Sequence, residues 1–320
     1  MFEIRPYEPQ RDELYVYDLW QQTLGDVWPL PYETFHYITV GNPAYEPGDH
    51  LVAQAGHEIA GFVGTQVPRI EGVHSPRGEL MLIMVAPAYQ KQGIGRALHA
   101  AALTALEQRG AGNVQLGAGG LCYFWAGVPT NLPGAWPFFE ACGWRELERS
   151  FDLIRELGYY ATPPGIYERI RYPTITIVTA AQADVPAVLE FEGRHFPRWL
   201  PYYQHMMVHN GYADVVVAKD AQQRIVGTSS VMDPHAPWWR PNNMVWTQLL
   251  GENTGGVGPL GVAEDMREHG IGLALAARVT ELLHEHGVEK SHVGYTWLVD
   301  WYGKLGYRVW REYRMSRREV

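Results

Sequence analysis

The sequence predicts an α/β protein built as two similar domains in tandem, each a mixed β-sheet flanked by helices. Three observations carry this. Strand-like and helix-like stretches follow the same order twice along the 320 residues. The run "ELMLIMV" (79–85) is almost continuously apolar, as a strand covered on both faces must be. The stretch "QKQGIGRAL" (90–98), set directly before a helix-forming segment, recurs in frame as "REHGIGLAL" (267–275).

Each element has its own signal. "FEIRPY" reads as a strand, and "RDELYVYDLWQQTL" and "PYETFHYIT" as helices. "HLVAQAG" and "EIAGFVGTQV" read as two strands joined by a turn around His57. After the first glycine loop, a helix is expected from about Ile94 to Gln108, with Ile94, Leu98, Ala101 and Ala105 as its apolar stripe. "NVQLGAG" is a further strand, "AWPFFEACG" a short helix stopped by Gly143, and "WRELERSFDLI" the closing strand of the half. The second half repeats the order. "TITIVTA" is a strand, 184–209 helical, "DVVVAKD" and "IVGTSSVM" a strand pair, and "VGPLGV" the strand before the second loop. A helix follows with Ile271, Leu275, Val279 and Leu282 on one face, then the strand "SHVGYTW", the short helix "VDWYGKLG" and the strand "YRVWREYRM". The proline- and glycine-rich stretch around Pro163, Pro164, Gly165 and Pro173 suits a linker. The expected domains are therefore 1–158 and 174–320, joined by 159–173. A repeat of this length is a duplicated domain, not a solenoid unit.

Bulk properties narrow the function. The formal net charge is −9, with 10 basic and 18 acidic side chains in 1–160 and 16 and 17 in 161–320, so the halves carry −8 and −1. Neither offers the broad basic face that nucleic acid requires. The basic end "RMSRREV" is read as a solvated tail. The two cysteines, Cys122 and Cys142, form no disulfide framework or zinc ribbon. His205/His209 and His284/His286 have no third ligand at a suitable spacing, which argues against zinc. No apolar run approaches the roughly 20 residues of a membrane span, and the charged start has no signal core. A soluble, cytoplasmic protein is expected.

The glycine loops suggest anion binding. Glycines permit a tight turn and close approach to main-chain N–H groups, and a helix start adds unpaired donors and partial positive charge. Together they suit a phosphate or diphosphate. A single loop reads equally well as a tight strand-to-helix turn. Neither loop is a G-x-x-x-x-G-K-[ST] P-loop or a G-x-G-x-x-G dinucleotide fingerprint.

"MVAPAYQKQGIGRAL" resembles motif A of the GNAT superfamily of N-acetyltransferases, and "FFEACGW" and "WYGKLGY" resemble the element that follows it in that family. The resemblance covers nearly the whole chain in two copies, as in the tandem members of the family. It implies a sheet splayed between its fourth and fifth strands with acetyl-CoA in the wedge. It implies a first cradle of Met84, Val85, Gln90, Lys91, Gln92, Gly93, Ile94, Gly95 and Arg96, and a second of Val262, Arg267, Glu268, His269, Gly270, Ile271 and Gly272. The second departs from the pattern, with Glu264 where the first has Pro87 and with Glu268 inside the loop, where a carboxylate opposes a diphosphate.

The implied reaction is acyl transfer from a thioester to an amine, expected to belong to a small molecule. It needs a base for the amine, a donor for the oxyanion and an acid for the thiolate. In the family the acid is often a tyrosine four residues before the glycine of the late helix. That position is Tyr302 in the second half but Phe139 in the first, with Tyr123 as a substitute donor. The cleaner loop favours the first half for phosphate binding, but Tyr302 favours the second for chemistry, as proton donor, with a structural or regulatory role for the first; the opposite assignment stays open. The alternative for Tyr302 is a packed aromatic beside Trp301. Glu79 is a candidate base, or else a solvated carboxylate at a strand end; Asp233, His235 and Glu252 are weaker candidates. The loops "CYFWAGVPTNLPGAW" and "DPHAPWWRPNNMVW" suit pocket walls or a hydrophobic seam. The rival readings are a CoA-binding sensor or scaffold with silent domains, and a peptide or protein N-terminal acetyltransferase. A monomer and a homodimer both fit.

Overall fold

The computed structural model describes residues 1–320 apart from 43, 69–75, 118–122, 173 and 238–243. In chain order the first helices and strands are β1 (Glu3–Pro6), α1 (Pro9–Thr23), α2 (Tyr32–Ile38), β2 (His50–Ala55), β3 (Glu58–Gln66), β4 (Arg77–Val85), α3 (Ile94–Gln108), β5 (Asn113–Leu116), β6 (Val128–Pro129), α4 (Ala135–Ala141) and β7 (Glu148–Glu156). There follow β8 (Thr176–Thr179), α5 (Val185–His195), α6 (Leu200–Val208), β9 (Val215–Lys219), β10 (Ile225–Met232), α7 (Thr247–Leu250), β11 (Thr254–Val262), α8 (Ile271–Glu285), β12 (Lys290–Thr296), α9 (Val299–Gly303), β13 (Arg308–Met315) and β14 (Arg317–Glu319). Two compact units result, and they interleave along the chain. One comprises 1–150, 242–249 and 312–320, and the other 151–241 and 250–311.

The first unit holds a mixed six-stranded sheet in the order β1-β2-β3-β4-β5-β14. Its ladder is antiparallel except for the β4–β5 pair. Helix α3 covers one face through Ile94, Leu98, Ala102 and Leu106. The buried stripe is thus a strict i, i+4 row; Ala101 and Ala105, expected in it, lie beside it and are half-exposed. The aromatic loop after β5 is packing. Phe124 and Trp125 are buried, and both stack on Trp20 of α1 with ring centroids 5.0 and 5.6 Å apart.

Two strands sit elsewhere than expected. The basic C-terminal residues are not a solvated tail: β14 is the edge strand beside β5, paired from Arg317↔Gln115 to Glu319↔Asn113. The Leu116 amide donates to Ser316 O at 3.1 Å, and Ser316 Oγ to Arg145 O at 2.7 Å. All three side chains of β14 are exposed, so its alternation carries no apolar signal. The strand expected to close the first half, β7, instead pairs antiparallel with β12, from Lys290↔Glu156 to Thr296↔Phe151.

The second unit's sheet runs β13-β7-β12-β11-β10-β9-β8, with β11–β12 parallel. Helix α8 fills one face with Ile271, Leu275, Val279 and Leu282, as the periodicity requires. On the other face α5 carries the fully buried Glu192, whose carboxylate accepts a 2.5 Å hydrogen bond from Thr228 Oγ1. Burial pushes this carboxyl up to about 8, against an ordinary value of 4.5.

Two outcomes are expected. Between about pH 4.5 and 8 the folded chain keeps a proton at Glu192 that the unfolded chain releases, so stability falls as pH rises through that window. Glu192→Gln should remove this fall and gain roughly 4 kcal/mol at pH 8, read from urea unfolding at several pH values. Deleting residues 316–320 should lower the unfolding free energy by about 1 kcal/mol per ladder hydrogen bond lost, read from urea midpoints.

Candidate active site

In each unit a parallel strand pair parts after four residue pairs. β4 pairs with β5 from Arg77↔Asn113 to Leu80↔Leu116, and the Gly117 amide then donates to Leu80 O at 2.9 Å. β11 pairs with β12 from Thr254↔Lys290 to Val257↔Val293. A β-bulge interrupts the antiparallel ladder at the same level: between Gly64 and Thr65 where β3 meets β4, and between Ser229 and Val231 where β10 meets β11. Each long strand therefore continues for five residues, 81–85 and 258–262, beyond the end of its parallel ladder. Those edges can offer main-chain N–H groups to a ligand.

Both strands lead into the same loop conformation. The side chain of the first loop residue turns back on the strand end: Gln90 Nε2 donates to Val85 O at 3.1 Å, and Arg267 Nε to Val262 O at 3.2 Å. Lys91 and Glu268 are left-handed, with φ of 59° and 65°. The caps Gly93 and Gly270 are left-handed too, with φ of 88° and 79°. No side chain caps either helix, so no side chain competes with an anion for the first amides of α3 and α8.

The two cradles differ in what surrounds them. The first opens into a cleft of about 750 Å³ lined by Ile83, Val85, Gln90, Lys91, Gly93, Gly95, Arg96, Gly134, Ala135, Phe138 and Phe139. A Cβ on Gly93 would meet no atom within 4 Å. Lys91 and Arg96 bring two cations to this cleft, and its lining holds no carboxylate. The second cleft, about 490 Å³, is lined by Val262, Arg267, Glu268, Gly270, Ile271, Gly272 and Tyr302, and also by Arg169 and Arg171 from the linker. There, a Cβ on Gly270 would collide with Arg169 O and lie 2.6 Å from the Arg169 carbonyl carbon.

The remaining expected site residues fall as follows. Ile94 is buried in the core beneath the loop, and Gln92 donates to Ala88 O at 3.0 Å. Met84 faces α1, with Thr23 Oγ1 3.5 Å from its sulfur, and is not in the cleft lining. His269 faces Tyr172, ring centroids 5.8 Å apart. Tyr302 lines the second cleft and is also part of the core, against Trp301 and Tyr307; burial holds its phenol well above the usual range. Phe139, at the matching place in the first unit, lines the first cleft.

Glu79 is not a solvated strand end. It is 1 % exposed, ion-paired with Arg77 at 3.1 Å, and accepts from Gln66 Nε2, whose Oε1 in turn accepts from Asn42 at 3.0 Å. It stands one residue before the last β4–β5 pair; its counterpart on β11 is Gly256. Tyr123 is half-buried and follows residues 118–122, outside the described set. Asp233 is buried; it accepts from the His235 amide at 2.8 Å and pairs with His286 Nδ1 at 2.7 Å. Glu252 is exposed. Gly134 and Ala135 fall in the stretch read as a possible pocket wall, while sequence reasoning missed Phe138 of α4 and the linker arginines. The aromatic stretch of α4 signalled the first; nothing local signals the second.

Comparisons with known proteins agree with this geometry. Residues 14–144 match the family model described as the acetyltransferase (GNAT) family. A solved fungal structure, the GCN5-related glucosamine N-acetyltransferase region of a multi-domain GH3 β-N-acetylglucosaminidase, is 32 % identical with a TM-score of 0.90. That match covers 99 % of this chain and 38 % of the fungal one, so the chain spans little more than a third of that protein's length. A GCN5-related N-acetyltransferase from Sphaerobacter thermophilus is 19 % identical at a TM-score of 0.68, covering 99 % of this chain and 95 % of its own. A tandem GNAT protein from the clavulanic acid biosynthesis pathway is 17 % identical at 0.62, covering 100 % and 98 %. These last two share the fold. No curated protein sequence matches the chain.

The unequal surroundings of the two caps set an expected contrast. Gly93→Ala should cost about 1 kcal/mol, the penalty of a left-handed non-glycine residue. Gly270→Ala should cost roughly 1–3 kcal/mol more, because linker backbone must also move. Equal losses in urea unfolding would contradict the contact at Gly270.

Proposed function

We propose, from the premise that this chain belongs to the GNAT acetyltransferase family, that it transfers acetyl from acetyl-CoA to the amine of an amino sugar, and that the first unit is the seat of transfer. The observation that carries the reading is the open, basic, glycine-capped cleft at the start of α3, in the half that the family model matches. The amino-sugar acceptor rests on the fungal relative, whose region is described as a glucosamine N-acetyltransferase and which resembles this chain over 99 % of its length.

In this reading the residues around Gly93 grip the diphosphate. The amides of 94–96 and the cations Lys91 and Arg96 neutralise it. The pantetheine arm lies along Ile83 and Val85. The amine nitrogen attacks the thioester carbonyl, a C–N bond forms, and the oxyanion takes hydrogen bonds from main-chain N–H groups of residues 81–85. The C–S bond then breaks and CoA leaves as the thiolate. Glu79, just before the strands part, is the proposed acceptor of the amine proton. With Phe139 unable to donate, the thiolate is protonated by another group, for which Tyr123 is the proposed source. Cytoplasmic residence and a monomeric state belong to the same proposal.

A second reading puts transfer in the second unit. It is favoured by Tyr302, the one phenol in the lining of either described cleft.

The test is CoA thiol release with glucosamine as acceptor. Gly93→Glu should abolish release, and Tyr302→Phe should leave it within about twofold. Loss of release in Tyr302→Phe with Gly93→Glu still active would move the chemistry to the second unit. Glu79→Gln should lower kcat by roughly a hundredfold or more, the scale of general-base catalysis, with KM for acetyl-CoA little changed. An unchanged kcat would leave Glu79 a packing ion pair.

A further inference from the structure

The linker does not merely connect. Its residues 167–171 run across the second cradle, and three hydrogen bonds of the linker hold them. Tyr167 Oη donates to Glu281 Oε2 of α8 at 2.8 Å, and Thr162 Oγ1 donates to the other oxygen of the same carboxylate. Arg278 holds that carboxylate from one turn earlier, 3.2 Å from Oε2. At the far end the Arg171 amide donates to His269 O, within the glycine loop itself, at 3.0 Å. Between these ties the Arg169–Ile170 peptide lies on Gly270: a Cβ there would be 2.6 Å from the Arg169 carbonyl carbon and 3.0 Å from Ile170 N.

The two loops are otherwise alike in φ and in the side-chain return to the strand end. In backbone surroundings the linker is what distinguishes the two caps. Its Arg169 carbonyl puts a partially negative oxygen over the cap of α8, on the side that is open in the first unit. A carbonyl oxygen is the natural partner for a helix start, and it repels a phosphate oxygen brought to the same place. Glu268, exposed and in the same lining, brings a carboxylate that the first cleft lacks, beside the cations Arg169, Arg171, Arg267 and Lys304.

We infer that residues 167–171 are a built-in strap that occupies the diphosphate seat of the second unit, so that the protein takes up a single acetyl-CoA, in the first. The inference rests on the proposed acetyl-CoA chemistry and adds which seat is filled by the chain itself. The apolar floor of the second cleft, with Leu260, Trp301 and Tyr302, stays intact beneath the strap. Freeing the strap should therefore create a second site.

Isothermal titration of the full chain with acetyl-CoA tests this. Wild type should bind one equivalent, and Gly93→Glu none. In the Gly93→Glu background, Tyr167→Phe combined with Glu281→Gln unties the strap and should restore binding, which a further Gly270→Glu removes again. Replacing 167–171 by a glycine–serine segment is the stronger form of the same change, with circular dichroism confirming the native fold. Two equivalents bound by wild type, or one equivalent lost with Gly270→Glu and kept with Gly93→Glu, would overturn the strap while leaving acetyl transfer standing. A folded glycine–serine variant in the Gly93→Glu background that still binds nothing would overturn it as well. No binding by wild type would instead refute the proposed function.

Discussion

The structure depends on one constraint: a parallel strand pair that must part. Four residue pairs hold β4 to β5, and four hold β11 to β12. Had either ladder continued, the edge of residues 81–85 or 258–262 would be consumed by sheet hydrogen bonds and closed to any ligand. The bulge on the opposite side of each long strand bends it where the parallel ladder ends. The glycine-capped helix then starts at the far end of that free edge. Apolar strand edge, left-handed turn and helix start thus form one continuous track, suited to a ligand with a diphosphate at one end and a reactive thioester at the other.

What the sequence made legible follows from distance along the chain. The two glycine loops, α3 and α8 are local features; backbone need and apolar period are written in consecutive residues, and α3 has the bounds its pattern requires. Strand partners are different. Alternation tells which face of a strand is buried, not which strand lies beside it. β7 reads as the end of one half yet pairs with β12, and β14 reads as a charged tail yet completes the sheet beside β5. Glu79 misled for a related reason. A carboxylate at the start of an apolar run reads as exposed, and only the long-range partners Gln66 and Asn42 reveal that it is satisfied inside.

The second unit departs from the first at corresponding places. At Glu79's place on the strand it has Gly256, and where α5 meets β10 it carries the polar pair Glu192–Thr228 in the core. A fully buried carboxyl that burial holds near 8 stays largely protonated at neutral pH and weakens the fold as the solution becomes alkaline. Polar groups of this kind inside a core are a burden on stability unless they serve a purpose.

Tyr302 has a packing role that is independent of chemistry. Its ring packs against Trp301 and Tyr307, and the Tyr307 hydroxyl in turn joins Ser291 and Thr280. That cluster ties α9 and β12 to α8 through buried contacts, and replacing any one ring would open a cavity in the core. A tyrosine at the place of a catalytic acid can thus persist for packing alone. Conversely, Phe139 fills the same role in the first unit without a hydroxyl, packed on Phe138 at 5.2 Å beside the open cleft. The phenolic oxygen is therefore a poor guide to which seat is filled. What differs between the two is access to the helix start, because linker backbone about 100 residues away in sequence lies on Gly270.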